Sequence, residues 1–180
     1  MCIRDRHQID QFMQFTGSRE VEIVAATSGN YANPDHPAFE DFGQMLLRGD
    51  GGHGYVRLDW YTPDAMPAWG DGRLFVLGTQ GSIELRKYVD VAGRPGTDHV
   101  FLVNGARCEH IDASGAGQPY FRRLADDLRQ RTETAMPQAH CFQVMELALQ
   151  AQAMACVRGQ VLPFAPPAKG GQKAGPDPSP

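Results

Sequence analysis

The side chains best suited to acid–base chemistry in this 180-residue chain are its six histidines, at His7, His36, His53, His99, His110 and His140. An imidazole with a pKa of about 6.5 can take up or release a proton near neutral pH. Their spacing does not match that of metal ligands. The sequence also contains no HExxH, GxSxG or GxxxxGKS/T motif, and its one GxGxxG match, GDGGHG at 49–54, falls in a predicted hairpin turn between two strands rather than before a helix. The residues alone therefore indicate neither a metal centre nor a phosphate-binding loop.

Two of these histidines lie where helices are predicted to begin. His7 opens an HxxD pattern that ends at Asp10, and His140 stands at the start of a long apolar segment. Judged by residue type alone, His7 is a surface or hydrogen-bonded polar residue. Asp10 is either a substrate contact or a carboxylate on the helix surface. His140 is either a substrate contact or a group that caps or supports the helix.

A loop rich in proline and glycine over 62–72, TPDAMPAWGDG, carries the second of the two tryptophans. Large aromatic side chains in loops are over-represented at binding sites and interfaces. Trp60 and Trp69 could stack on a sugar ring, or they could pack in the core or against another subunit. Arg73 could attract an acidic substrate or simply pair with Asp71.

Apolar periodicity predicts the elements that position these residues. A helix over 7–17 ends at Gly17, a favourable C-terminal cap. Two further helices are predicted over 120–131 and 139–157, the first with its charged residues in solvent and the second introduced by Thr134 and buried on most of its circumference.

Between the first and second helices the sequence alternates as strands do. The predicted strands run over 20–26, 42–47, 55–61, 74–77, 82–88, 100–103 and 106–111, with an edge strand at Val161-Leu162. Short turns such as Asn104-Gly105 make most pairs antiparallel. The sequence thus predicts an α+β fold: a largely antiparallel or mixed open-faced sheet of about six or seven strands, covered on one face by two long C-terminal helices and one N-terminal helix.

Composition limits the partners and the compartment. The net charge of −4 and the lack of a basic run argue against nucleic acid. No apolar stretch approaches the roughly 20 residues of a membrane span, and no secretory signal opens the chain. The four cysteines show no CxxC spacing, and those at Cys141 and Cys156 are expected to be core thiols. We therefore expect a cytoplasmic protein without a metal site.

The two ends of the chain differ from its middle. Residues 1–6, MCIRDR, show no helix-start signal or periodicity, and we interpret them as a non-native leader ahead of a truncated domain. Residues 164–180 are rich in proline and glycine and are predicted to be a disordered tail. The ordered domain is accordingly expected over 7–163.

Three segments resemble the C-terminal domain of the Gfo/Idh/MocA family of oxidoreductases. They are HQIDQFMQFTG at 7–17, WGDGRLFVLGTQGSIELRKY at 69–88 and YFRRLADDLRQRTETAMPQAHCFQVMELALQAQAMA at 120–155. The resemblance implies a longer enzyme in which a Rossmann domain, absent here, binds NAD or NADP. It further implies a small-molecule substrate of the sugar or cyclitol type, and a homo-oligomer formed through the open sheet face.

The resemblance also implies a role for His7, which matches the histidine of the family's DxxxH segment and would act as the catalytic proton acceptor. The aspartate of that segment would fall at Ile3, and the family's catalytic lysine has no counterpart here. We therefore expect this chain alone to be inactive and to bind no cofactor. Asp10, Trp60, Trp69, Arg73 and His140 are its candidate substrate contacts. The competing hypothesis is a non-catalytic α+β dimerisation or interaction module.

Overall fold

The structure of the chain, a computed structural model, describes residues 2–157 and gives side-chain environments from Arg6 to Cys156. The predicted edge strand at Val161-Leu162 and the predicted tail over 164–180 lie outside the described residues. Within residues 2–157, no helix is both long enough and apolar enough to cross a bilayer.

Between residues 2 and 157, three α-helices and seven strands follow one another in the order of an α+β protein, which confirms the predicted class. Their bounds are α1 (Cys2–Thr16), β1 (Val21–Gly29), β2 (Phe42–Gly49), β3 (Gly52–Asp59), β4 (Gly72–Gly78), β5 (Gly81–Lys87), β6 (Asp98–Asn104), β7 (Cys108–Asp112), a 3-10 turn (Ser114–Ala116), α2 (Pro119–Gln130) and α3 (Gln138–Val157). All strand pairs are antiparallel. The leader at 1–6 stays a prediction, although α1 already includes residues 2–6.

The strands are divided between two sheets, a division that the sequence did not indicate. One has the order β1-β2-β3 and the other the order β4-β5-β6-β7. The break falls between β3 and β4, where the linking loop contains Pro63 and Pro67. A proline has no N–H to donate to a sheet ladder, and a connection of this length does not form a tight hairpin.

The core lies between the three-stranded sheet and the helices α1 and α3. Its buried apolar side chains are Ile9, Met13, Ile23, Ala26, Met45, Leu47, Val56, Val144, Leu147, Ala148, Ala151 and Ala155. On α3 these residues recur at three- and four-residue spacing and so form one stripe. Three of the five are alanines, which let the helix backbone lie close to β1.

The prediction that α3 is buried on most of its circumference was wrong. Phe142 is 65 % exposed and Leu149 is 57 % exposed, because the sheet covers only one side of the helix. Cys156 also lies on the surface rather than in the core, while Cys141 is half-buried. A helix that is apolar on all sides is buried on all sides only where a second layer of the protein covers the side that faces away from the sheet.

Glycines in and after the β2–β3 turn determine how α1 lies on the sheet. A side chain at Gly51 would meet the carbonyl oxygen of Thr16, and a Cβ at Gly54 would come within 2.7 Å of the Phe12 ring. The end of α1 therefore lies at the β2–β3 turn, and the helix runs antiparallel to β3.

The connection between α2 and α3 is organised by Asp127, which was predicted to be in solvent but is only 6 % exposed. Its carboxylate accepts hydrogen bonds from the Thr132 hydroxyl at 2.6 Å, from the N–H and hydroxyl of Thr134, and from the Ala135 N–H. The position of Thr134 had suggested that it caps α3, but its N–H and hydroxyl bind Asp127 instead. These bonds, led by that of Thr132, hold the pKa of the Asp127 carboxyl well below its ordinary value of 3.8.

Because this pKa is depressed in the folded chain, Asp127 stabilises the fold above the ordinary carboxyl pKa, and this stabilisation is lost as the pH falls through the depressed value. We predict that Asp127→Asn lowers the free energy of unfolding at neutral pH. It should also reduce the difference between the free energies of unfolding at about pH 7 and about pH 3. Urea titrations at the two pH values measure both effects.

The matched control is Asp126→Asn, since the side chain of this neighbour is 50 % exposed and pairs with Arg129 on the helix surface. This substitution should change the free energy of unfolding little at either pH. An Asp127→Asn variant with the same acid sensitivity as the Asp126→Asn variant would contradict the assignment.

Candidate functional site

The structure brings two of the predicted site residues into direct contact where α1 meets α3. His140 Nε2 lies 2.7 Å from Asp10 Oδ1, and the two side chains are 17 % and 26 % exposed. A carboxylate oxygen can only accept here, so the imidazole donates its Nε2–H. Nδ1 of His140 is then left as an acceptor in the neutral ring or as a second donor in the charged ring.

His7 lies on the same helix, three residues before Asp10, and its side chain is exposed. Residues three apart on a helix are neighbours, with about 5–6 Å between their Cβ atoms. His7 and the Asp10–His140 pair thus form one cluster of proton-carrying groups at the edge of the contact between α1 and α3. An imidazole oriented by a carboxylate, beside a second imidazole, is an arrangement suited to general acid–base chemistry.

Trp60 and Trp69 are also brought together. Their ring centroids are 6.0 Å apart at an interplanar angle of 85°, and Phe39 packs on Trp60 at 5.6 Å. We call Phe39, Trp60 and Trp69 the aromatic platform. Trp60 follows the end of β3 and is 46 % exposed. Trp69 is 79 % exposed, so neither tryptophan is a core side chain.

Arg73 lies at the start of β4, where its guanidinium contacts the Asp71 carboxylate at 2.7 Å. This hydrogen bond, followed by the charge of Asp71, raises the pKa of the guanidinium above its ordinary value. The pairing that the sequence left open is therefore the one observed. A role for Arg73 toward an acidic substrate stays a prediction.

Sequence reasoning missed Asp41, which is fully buried just before β2. Burial by itself raises the pKa of its carboxyl, but hydrogen bonds from the Tyr61 hydroxyl and from the N–H groups of Tyr31 and Ala32 outweigh it and lower the pKa to about 2. Burial and the same contact with Asp41 raise the pKa of the Tyr61 phenol. An isolated aspartate in the segment FEDFG carries no sequence signal for this role.

The two groups lie at different ends of the three-stranded sheet. Gln143, three residues after His140, donates its Nε2–H to the carbonyl oxygen of Arg19 just before β1. The start of β1 pairs with the end of β2 and so lies beside the β2–β3 turn, whereas Trp60 follows the other end of β3. A ligand that reached both groups would have to be larger than a single sugar ring.

Comparison with known proteins places the fold among oxidoreductases. No family model matches the chain, and no curated protein is significantly similar to it. Two similar solved structures are described as putative oxidoreductases. That from Erwinia carotovora atroseptica is 47 % identical, with a TM-score of 0.80 over 83 % of this chain and 45 % of its own. That from Thermotoga maritima is 22 % identical, with a TM-score of 0.67 over 84 % of this chain and 43 % of its own.

A third similar structure is the WlbA dehydrogenase from Bordetella pertussis in complex with NADH and UDP-GlcNAcA. It is 21 % identical, with a TM-score of 0.56 over 86 % of this chain and 41 % of its own. The chain thus spans less than half the length of each of these proteins. Over most of its own length it has the fold of one part of an oxidoreductase.

We predict that the Asp10–His140 contact stabilises the packing of α1 against α3. A double-mutant cycle with Asp10→Ala and His140→Ala should give a coupling energy of about 1–2 kcal/mol in the free energy of unfolding, as expected for a half-buried hydrogen bond to a charged group. The same cycle on the exposed Arg129–Asp126 pair is the control and should give about 0.5 kcal/mol or less. Equal coupling in the two cycles would show that the contact is only a surface ion pair.

Proposed function

We propose that this chain is the substrate-binding and oligomerisation part of a Gfo/Idh/MocA-type oxidoreductase. The longer enzyme would act with NAD or NADP on a hydroxyl-bearing carbon of a sugar, cyclitol or related polyol. The observation that carries the proposal is the 47 % identity with the Erwinia protein over 83 % of this chain. The exposed His7, with the Asp10–His140 pair beside it, supports the proposal, because oxidation of a hydroxyl requires a proton acceptor beside it.

In this proposal His7 takes the hydroxyl proton, since its imidazole is exposed on α1 and open to a ligand from outside. The carboxylate of Asp10 supplies a negative charge near His7. Its contact with His140 fixes the position of α1 on α3. The loop that contains Trp69 and the start of β4 with Arg73 shape the substrate site. A ring of the aromatic platform can cover one face of a sugar.

The described residues do not fit a dinucleotide. A pyrophosphate is ordinarily held by glycine-rich backbone at a helix N-terminus. Here α2 begins with Pro119, which has no N–H, and α3 follows Pro137. We therefore assign cofactor binding to a part of the longer protein outside this chain, and we expect the chain alone not to bind NAD or NADP.

The test is an assay of the intact protein with NAD or NADP and a panel of polyols that includes D-glucose and myo-inositol. We predict that His7→Gln lowers kcat by at least about a hundredfold, the usual contribution of a general base, and removes the corresponding limb of the pH profile. The matched control is His53→Gln, an exposed histidine on β3. Full activity of the His7→Gln variant would refute the catalytic assignment.

The second candidate is a non-catalytic α+β dimerisation module. Large apolar side chains exposed on the four-stranded sheet favour it, with Leu77 at 87 % exposure, Phe75 at 67 % and Val103 at 45 %. Apolar groups so close together on a soluble protein mark an interaction surface. Both candidates therefore place a second copy of the chain on this sheet, and only the enzyme requires a nucleotide-binding part encoded upstream of His7.

We predict that the chain self-associates through this sheet. Leu77→Glu should weaken the dimer at least tenfold in sedimentation equilibrium, because it puts a charge into a self-complementary apolar contact. The matched control is Leu149→Glu, which changes a similarly exposed leucine on the outer side of α3. A wild-type chain that stays monomeric at high concentration would contradict the prediction.

A further inference from the structure

We infer that Asp41 is a positioning residue whose buried carboxylate holds the aromatic platform in the geometry that receives a sugar ring. The inference rests on the proposed function, because it assigns the platform to substrate binding. Asp41 touches none of the three rings through its own carboxylate. It acts through the chain segments that carry two of them.

The carboxylate of Asp41 joins segments that are far apart in the sequence. Oδ1 accepts from the Tyr31 N–H at 2.9 Å and from the Tyr61 hydroxyl at 2.6 Å. Oδ2 accepts from the Ala32 N–H and from Nδ2 of Asn33, both at 2.8 Å. One side chain thus fixes the loop after β1 and the residues after β3 relative to the start of β2.

The connection to the platform runs through the two residues that follow β3. The N–H of Trp60 donates to the carbonyl oxygen of Asp41 at 3.0 Å, while the next residue, Tyr61, donates its hydroxyl to the carboxylate. Phe39 lies two residues before Asp41 and packs on Trp60. Asp41 therefore sets the positions of both Phe39 and Trp60, and Trp69 lies edge-on against the ring of Trp60.

A carboxylate is the group that this site requires. Four donors converge on two oxygens, and every one of them is an N–H or O–H. An asparagine in either orientation would turn its NH₂ toward two of these donors and leave them without an acceptor. The ring of Tyr61 also stacks on Phe42 at 6.5 Å, so its hydroxyl can be removed while the ring stays packed.

The sequence supplies a direct probe of the platform, because its only two tryptophans are Trp60 and Trp69. The near-ultraviolet circular dichroism and the fluorescence of tryptophan therefore report on this pair alone. A substitution that merely lowers the stability of the fold does not change these signals below the unfolding transition. A change in how the rings meet does change them.

The experiment compares Tyr61→Phe and Asp41→Asn with the control Tyr55→Phe, which removes an exposed hydroxyl bonded to Gln44 on the same sheet. Tryptophan spectra and the affinity for D-glucose and myo-inositol are measured well below each thermal transition. We expect both test variants to alter the tryptophan dichroism and to weaken saccharide binding about five- to tenfold. The control should match the wild type in both readouts.

Unchanged tryptophan spectra in Tyr61→Phe, together with a lower thermal midpoint, would overturn the inference by showing that Asp41 only stabilises the fold. If Asp41→Asn does not fold, Tyr61→Phe decides alone. Wild-type protein that binds neither saccharide would count against the proposed substrate class. An altered dichroism in Tyr61→Phe would still support the positioning of the platform by Asp41.

Discussion

The close packing of the alanine-rich stripe of α3 on the three-stranded sheet is the constraint on which the rest of the structure depends. Ala148, Ala151 and Ala155 are almost completely buried. With α3 lying this close to the sheet, α1 fits beside it and contributes Ile9 and Met13 to the same core. The direction of α1 follows from this packing, and it brings Asp10 against His140 of α3.

Buried carboxylates order the parts of the chain that are neither helix nor strand. Backbone N–H groups in such segments need acceptors when they are shielded from water. Asp41 provides them for the loop after β1, and Asp127 provides them for the connection between α2 and α3. Each also binds hydroxyl groups from its surroundings, so each holds a loop in one conformation. The aromatic platform is attached to the first of these carboxylates.

Local signals in the sequence predicted most elements of the fold because those signals act over a few residues. Turn residues such as Asn104-Gly105 defined the hairpins, and Gly17 ended α1 as expected, with a φ of 68°. The division into two sheets and the exposed side of α3 depend on which layers meet, and periodicity does not encode that.

The contacts of the candidate site could also not be predicted from signals that act over a few residues. His140 and Asp10 are 130 residues apart in the sequence, and each was singled out without any sign that the two would meet. Asp41 was missed altogether because the four donors that it binds come from separate loops. The candidate residues themselves were found through their types and through the family resemblance.

The central proposal is that this chain belongs to an enzyme that oxidises a polyol with a nicotinamide cofactor. The most direct measurement follows deuterium from a polyol labelled at its hydroxyl-bearing carbons into the cofactor, using the intact protein and mass spectrometry of the nicotinamide product. We predict that the reduced cofactor carries one deuterium per turnover. Reduced cofactor without deuterium, or no reduction with any polyol tested, would contradict it.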